Sequence, residues 1–295
     1  MTSILICTYN RGNLIESTLK ALIRQQTKMP YEIIVVNGGG KNNCQKTLEK
    51  WKTKFSNLKI FITKNKNLSA SRNIGLKKCT GNLVLQTDDD ARPFPDWIER
   101  IVEAHKIYPD VGVIGGDVID AGGTSYLSQI ADMATFPHHY NTCEVRSVPG
   151  VNSSYKKEVI DQVGKYDETL FRGEDVDYNW RAIKNGWKVV YIPEIKVYHV
   201  HRPTWNGLLR QHYMYGRAHF LVRSKWPEMY SPYPKKIDSI YTFLKWLASW
   251  VWFPWLDAFL KSCKMKSQPN GFEFFTLGFI NISNRIGTSV QKNFH

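Results

Sequence analysis

The chain has 295 residues and carries 40 Lys and Arg against 26 Asp and Glu, a net charge of +14, together with ten tryptophans. With 42% hydrophobic and 22% charged residues, 20 Gly and 13 Pro, it has the composition of a chain that buries a core, which excludes disordered, collagenous and low-complexity classes. The positive excess points to a polyanion, a membrane surface or a phosphorylated substrate.

Ser3–Thr8 is a short apolar run that stops at the turn signal Tyr9-Asn10-Arg11-Gly12, and it reads as a first strand. Leu14, Leu19, Leu22 and Ile23 then fall near helical spacing. Glu32–Val36 is a second strand ending at Asn37-Gly38-Gly39-Gly40. Thr47–Phe55 suits a helix, Lys59–Thr63 a strand, Ser69–Lys78 a helix and Asn82–Gln86 a strand that runs into Asp88-Asp89-Asp90. Such alternation predicts a parallel sheet with helices on its faces, and ligands in such sheets bind beyond the carboxyl ends of the strands. Thr8, Asn37 and Asp88–Asp90 all lie at such ends. Further on, Pro93–Tyr108 reads as a helix, Val111–Ile119 as a strand and Ala121–Asn141 as irregular. Val148–Tyr155 is extended, Glu158–Gly164 and Asp175–Asn185 are helical, and Trp187–Ile192 and Lys196–Val200 are two strands. The odd set Cys7, Cys44, Cys79, Cys143 and Cys263 fits neither a zinc site nor a disulfide framework, so reduced thiols and a cytoplasmic protein are expected. The opening residues lack a basic stretch and a long apolar run of the signal-peptide kind.

Four constellations carry chemistry. Asp88-Asp89-Asp90 places three repelling carboxylates at a strand end; a hard divalent ion shared by Asp88 and Asp90 would relieve them, whereas a solvated acidic turn is the bland alternative. Gly173-Glu174-Asp175-Val176-Asp177 opens a helix with a carboxylate pair suited to general-base work, or simply to the helix dipole. His199 and His201, two apart on a strand, share one face, and either imidazole could complete an ion's shell. Arg72, in Ser69–Gly75, could grip a phosphate or a carboxylate bidentately.

The order of these pieces resembles the family 2 glycosyltransferases. The stretches that carry the resemblance are Ile4–Arg11, Tyr31–Val36, Ala70–Gly75, Leu85–Asp90, Val148–Asn152, Gly164–Glu168 and Gly173–Asp177, covering about residues 3–205. The resemblance implies a GT-A fold: a Rossmann-like, mostly parallel central sheet with flanking helices, here followed by a C-terminal helical extension. It divides the chain into a nucleotide-sugar-binding half (1–110), an acceptor-binding half (111–205) and a basic aromatic extension (206–295). It implies inverting transfer from a nucleotide-diphosphate sugar, with a UDP-sugar favoured, to a glycan or lipid-linked acceptor. Thr8, Tyr9, Asn10, Arg11, Asn37, Arg72, Asn73, Asp88 and Asp89 would bind the donor nucleotide. Asp88, Asp90 and His199, with His201 second, would hold Mn²⁺ or Mg²⁺. Asp175 would be the base, with Glu174 the competing assignment, and Gly150, Asn152 and Glu174 would border the sugar and acceptor. Where the family usually has aspartate this chain has Asn37, which lacks the charge.

Arg202–His295 holds 13 Lys and Arg against 4 Asp and Glu, and six of the ten tryptophans (Trp205, Trp226, Trp246, Trp250, Trp252, Trp255). Its apolar run Ile240–Leu260 is interrupted by Lys245, Pro254 and Asp257, too short a stretch to span a bilayer. Lys235, Lys236, Lys261, Lys264 and Lys266 flank it, and a second apolar patch, Phe272–Ile282, follows. Tryptophan with flanking lysine suits the cytoplasmic face of an anionic membrane; helices packed on the rest of the chain, or a homo-oligomer contact, are the alternatives. The basic residues from His201 and Arg202 through Arg210, His212, Arg217 and Arg223 suit a phosphate-bearing acceptor or a solvated helix face. Nucleic acid is not expected, because the charge sits beside apolar tryptophan runs. Two further readings stand beside glycosyl transfer. A nucleotidyltransferase would need Gly38-Gly39-Gly40-Lys41 to cradle phosphate. A donor-binding scaffold with weakened turnover would follow from Asn37.

Overall fold

The apolar run at the start of the chain becomes strand β1 (Thr2–Thr8), and the turn after it opens helix α1 (Gly12–Ile23). The computed structural model describes residues 1–39, 43–121, 126–201, 204–229, 238–262 and 271–292. The chain gathers into two units, Met1–Ala121 with Pro137–Val200, and Gly122–Phe136 with His201–His295.

The first unit continues through β2 (Tyr31–Asn37), α2 (Cys44–Lys52), β3 (Leu58–Ile62), α3 (Leu68–Leu76), β4 (Leu83–Asp88), β5 (Ala91–Pro93), α4 (Trp97–Ile107) and β6 (Val111–Asp120). After the excursion into the second unit come β7 (Cys143–Glu144), a 3-10 turn at Gly150–Asn152, β8 (Ser153–Lys156), α6 (Lys157–Val163), α7 (Glu174–Lys184) and β9 (Lys188–His199). The sheet order is β3-β2-β1-β4-β8-β6-β9-β5, with β7 beside β9. The pairs β3–β2, β2–β1, β1–β4 and β6–β9 are parallel, and β8 enters antiparallel between β4 and β6. Register places Thr8 beside Asn37 and Cys7 beside Asp88, so the three loops expected to converge do so at one edge. Ile4, Ile6, Ile34, Val84 and Val113 lie in the core between sheet and helices. Helix α3 lies against β1 because residue 75 is glycine: a Cβ there would sit 2.1 Å from Leu5 Cδ1.

Three details differ from expectation. The two strands read at 187–192 and 196–200 are one, β9, continued across a register shift opposite Gly116 and Asp117. The short strands β5 and β7 carry no apolar alternation and exist only because β9 offers them an edge. The segment read as irregular contains helix α5 (Tyr126–Thr135), whose Leu127, Ile130 and Ala131 are apolar at helical spacing but find their partners only in the second unit.

That second unit adds α8 (Trp205–Lys225), α9 (Ile240–Val251), α10 (Phe253–Ser262) and α11 (Gly271–Lys292). Leu208, Ala258, Leu277 and Ile280 complete the cluster begun by α5. One basic side chain of α8 serves the bundle: Arg217 Nε donates to Gln291 Oε1 at 2.8 Å. Gly40, Lys41, Arg202, Lys235, Lys236, Cys263, Lys264 and Lys266 lie outside the described residues. Among the described residues, no helix is long and apolar enough to cross a membrane.

One buried carboxylate ties the first three parallel strands together. Glu32 Oε1 accepts from Ser3 Oγ (2.6 Å), Thr80 N (2.7 Å) and Thr80 Oγ1 (2.8 Å), while Oε2 pairs with Lys59 Nζ at 2.7 Å. Burial opposes its ionisation, but Lys59, Ser3 and Thr80 outweigh burial and hold its carboxyl down at about 2. A depressed carboxyl stabilises the fold above its unfolded value of 4.5 and loses that contribution as pH falls toward 2. Glu32→Gln should therefore lower unfolding free energy by about 1–3 kcal/mol at neutral pH. The difference from wild type should shrink as pH is lowered from about 4.5 toward 2, read by urea unfolding at each pH.

Candidate functional site

The site forms where β1, β2 and β4 end and where α3, α7 and the Gly150–Asn152 turn face them. Its centre is Arg72, on α3, with only 4% of the residue exposed. Helix α3 is started by Asn67, whose side chain accepts from Ala70 N at 2.9 Å, and Gly75 lets it approach the sheet. Arg72 NH1 donates to Glu174 Oε1 at 2.5 Å and NH2 to Asp88 Oδ1 at 3.4 Å, and the guanidinium lies over the Tyr166 ring. Burial disfavours the cation, but Glu174, Tyr166, Asp88 and Asp175 together hold it firmly protonated. The Arg72–Glu174 pair spans 102 residues of chain and, with Asp88, joins the end of β4 to the mouth of α7.

The three aspartates divide by direction. Asp88 ends β4 and is partly open, facing Arg72. Burial pushes its carboxyl up against the pull of Arg72, and neighbouring Asp90 adds to the rise. Asp89 turns inward: Oδ2 accepts from Thr8 Oγ1 at 2.7 Å and Oδ1 from Arg11 NH1 at 3.0 Å. Burial, with Asp90 and Asp88 adding, raises Asp89 to about 6 despite Arg11 and Thr8. These bonds anchor the turn after β4. Asp90 Oδ2 accepts from Arg11 NH1 at 2.8 Å, and its Oδ1 lies 3.3 Å from His199 Nε2. His199 reaches it because β5 pairs antiparallel with β9, which sets His199 opposite Ala91. Burial opposes ionisation of Asp90, but His199 and Arg11 pull its carboxyl below the ordinary value. Arg11 can grip both carboxylates because Asn10 before it adopts the left-handed region (φ 58°), where asparagine is among the few tolerated side chains.

His201 does not share the face of His199. Strand β9 ends at His199, and His201 belongs to the second unit, where its Nε2 lies 2.8 Å from Asp132 Oδ1. Among the described residues, no three His, Cys, Asp or Glu side chains stand together as a ready ligand set.

Other side chains expected to bind ligand also have partners within the protein. Asn73 Nδ2 donates to Tyr166 O and Glu168 Oε1 (both 3.0 Å) and its Oδ1 accepts from Tyr166 N at 2.7 Å. Asn152 is fully buried; its Nδ2 donates to Asp117 O and Ile195 O (both 2.9 Å), and its Oδ1 accepts from Trp97 Nε1 at 2.8 Å. Asn37 Nδ2 donates to Gln45 Oε1 (3.0 Å) and its Oδ1 accepts from Gly39 N (3.1 Å), so both ends of the amide close the loop after β2. Tyr9 stands exposed at the rim.

Helix α7 begins at Gly173, in the left-handed region at φ 74°. That turn sends successive carboxylates in opposite directions. Glu174 is buried on Arg72, and burial, reinforced by Asp175, raises its carboxyl to about 6 against the pull of Arg72. Asp175 is half-buried; its Oδ2 accepts from Gly150 N and its Oδ1 from Val176 N, both at 2.9 Å. A Cβ on Gly150 would sit 2.7 Å from Arg72 Nη2, so the guanidinium tip would have to shift to admit one. The roles missed by the sequence reading are those of Gln45, Tyr166 and Glu168, which partner Asn37, Arg72 and Asn73; no pattern local to them signals this.

Comparison with known proteins places the chain in a family. A family model described as "Glycosyl transferase family 2" matches residues 3–164. "Glycosyltransferase AglE" of Haloferax volcanii is 27% identical over 226 residues, 75% of this chain and 73% of that protein. "Glucosyl-dolichyl phosphate glucuronosyltransferase" of the same organism is 29% identical over 184 residues, 59% of this chain and 58% of that protein. Among solved structures, "Mannosyltransferase PcManGT from Pyrobaculum calidifontis in complex with GDP-Man and Mn2+" superposes with a TM-score of 0.65 at 14% identity, over 99% of this chain and 86% of that one. The last likeness shows the GT-A fold.

Glu174→Ala would leave the buried Arg72 with Asp88 alone, a loss of about 3–5 kcal/mol in unfolding free energy; Glu174→Gln, which keeps one acceptor, should lose less. Gly150→Ala should displace the guanidinium tip with a smaller stability loss than Glu174→Ala, read by urea unfolding of the three variants side by side.

Proposed function

The chain belongs to glycosyl transferase family 2, and on that premise we propose that it moves a sugar, with inversion, from a nucleotide-diphosphate sugar to an acceptor hydroxyl of a glycan or lipid-linked substrate. One observation carries the reading: buried Arg72 links Asp88, at the diphosphate side, to the helix mouth that presents Asp175.

In this proposal Asp175 is the base. Its neighbour Glu174 is committed to Arg72, whereas Asp175 is partly open and is oriented by the Gly150 and Val176 amides. Its carboxylate takes the acceptor proton as the acceptor oxygen forms a bond to the anomeric carbon. The bond from that carbon to the diphosphate breaks on the opposite face, and nucleoside diphosphate leaves. Arg72 holds the two sides in register, so positioning supplies part of the acceleration.

Asp88, Asp90 and His199 are the residues proposed to hold Mn²⁺ or Mg²⁺. Two hard carboxylates and an imidazole suit either ion, and the raised carboxyl of Asp88 beside Asp90 is what a cation would relieve. When bound, such an ion neutralises charge on the departing diphosphate. Arg11 and Thr8 keep Asp89 and Asp90 in place for it. A UDP-sugar is the first donor to try. The neutral Asn37, closed on Gly39 and Gln45, leaves GDP- and dTDP-sugars to be compared directly. The reaction is placed at the cytoplasmic face of a membrane, a reading supported by the basic, tryptophan-rich C-terminal sequence. The name of one relative, which includes glucosyl-dolichyl phosphate, supports a lipid-linked acceptor here.

A thermal-shift screen of nucleotide sugars with Mn²⁺ should single out one nucleotide. Turnover should release nucleoside diphosphate; pyrophosphate would instead indicate nucleotidyl transfer, and binding without transfer would indicate a scaffold. Asp175→Asn should keep donor binding while transfer falls by about 10²–10⁴-fold. Asp88→Ala combined with Asp90→Ala should abolish metal-dependent turnover, and full activity in that variant would sink the metal assignment.

A further inference from the structure

Helices α9 and α10 turn an apolar stripe to solvent. On α9, Leu244, Leu247 and Val251 recur at helical spacing and are exposed. On α10 the stripe continues through Leu256 and Phe259, at 48% and 55% exposure, and Trp252, at the junction of the two helices, is 70% exposed. The opposite faces are committed inside the unit. Ser249 is buried and its Oγ lies 3.1 Å from Arg285 Nε, with that guanidinium 4.8 Å from the Trp250 ring. Ala258 is buried against α11, where Asn281 Nδ2 donates to Pro254 O and Asp257 Oδ2 (2.8 and 3.0 Å) and Trp255 meets the Phe275 and Phe279 rings edge-on. The helices therefore cannot roll to hide the stripe without breaking these contacts.

We propose that the outer faces of α9 and α10 are a docking surface that lies in the plane of an anionic bilayer. Twelve and ten residues give lengths of about 18 and 15 Å, against the roughly 30 Å needed to span the hydrocarbon. An exposed apolar face on helices too short to cross suits partial insertion at the headgroup boundary, with Trp252 at the depth where tryptophan gathers. Charge selects the occupant. The segment from Arg202 carries 13 Lys and Arg against 4 Asp and Glu, which complements an anionic surface. Two copies, each with a net charge of +14, would repel one another, whereas an anionic surface attracts this chain. The surface gives the proposed membrane location its contact residues, and it does not depend on the identity of the donor.

The test uses the full chain with phosphatidylcholine vesicles, with and without phosphatidylglycerol. Wild type should co-sediment with the anionic vesicles at least about tenfold more strongly than with the neutral ones, less so at high salt. Brominated lipid should quench tryptophan emission, and Trp252→Phe should remove most of that quenching. The triple variant L244S/L256S/F259S alters only exposed positions. It should keep its melting temperature and its donor-induced thermal shift while losing about tenfold or more in vesicle binding. Wild type left in the supernatant with every vesicle, or a triple variant that binds like wild type, would overturn the surface. So would a wild-type dimer that the triple variant converts to monomer without any vesicle binding. A retained thermal shift with a nucleotide sugar in those cases would leave the transferase reading standing.

Discussion

A buried guanidinium has to find negative charge, and in this protein that requirement organises everything around the ends of the central strands. Arg72 cannot leave the interior, because α3 is pressed onto β1 by Gly75, so Glu174 and Asp88 come to it. Satisfying one cation thus fixes the distance between the end of β4 and the start of α7, elements more than eighty residues apart in the chain. Gly150 has no side chain because the guanidinium fills that space, and its amide is thereby left to orient Asp175.

Around this centre, charge and neutrality are sorted by direction. One aspartate of the three turns inward to Thr8 and Arg11; Asp90 is held by Arg11 and His199, and Asp88 faces Arg72. In the same way Glu174 is spent on Arg72 and Asp175 is kept partly open. Carboxamides do the fastening: Asn73 grips the Tyr166 backbone, Asn152 pins its turn to β6 and β9, and Asn37 closes the loop after β2. An amide both donates and accepts, so it can close such turns without adding charge near the carboxylates.

The helical unit follows different physics. Its inner surfaces are as closely packed as a core, to the point that a Cβ on Gly278 would sit 2.1 Å from Trp255 Cζ3. Its outer surface on α9 and α10 leaves large apolar side chains in water, which isolated soluble domains rarely do over a contiguous patch. The first unit presents partly open carboxylates at its strand ends; the second leaves an apolar stripe exposed on α9 and α10.

The alternating strands and helices through Asp90, the strand-end placement of Thr8, Asn37 and Asp88, and the helix opening at Glu174 were all legible in the sequence, because each rests on local periodicity, turn residues or capping. So was the separation of the basic aromatic C-terminal segment, a matter of composition. What tertiary structure alone decided is the direction each side chain takes. Strand pairing of β5 with β9 brings His199 to Asp90, and the end of β9 sends His201 to Asp132. Backbone partners far along the chain give Asn73 and Asn152 a fastening role that the sequence does not show. A motif specifies which groups are present and how far apart they lie along the chain; which of two adjacent carboxylates is buried depends on where the nearest cation has been packed, and that is a property of the fold.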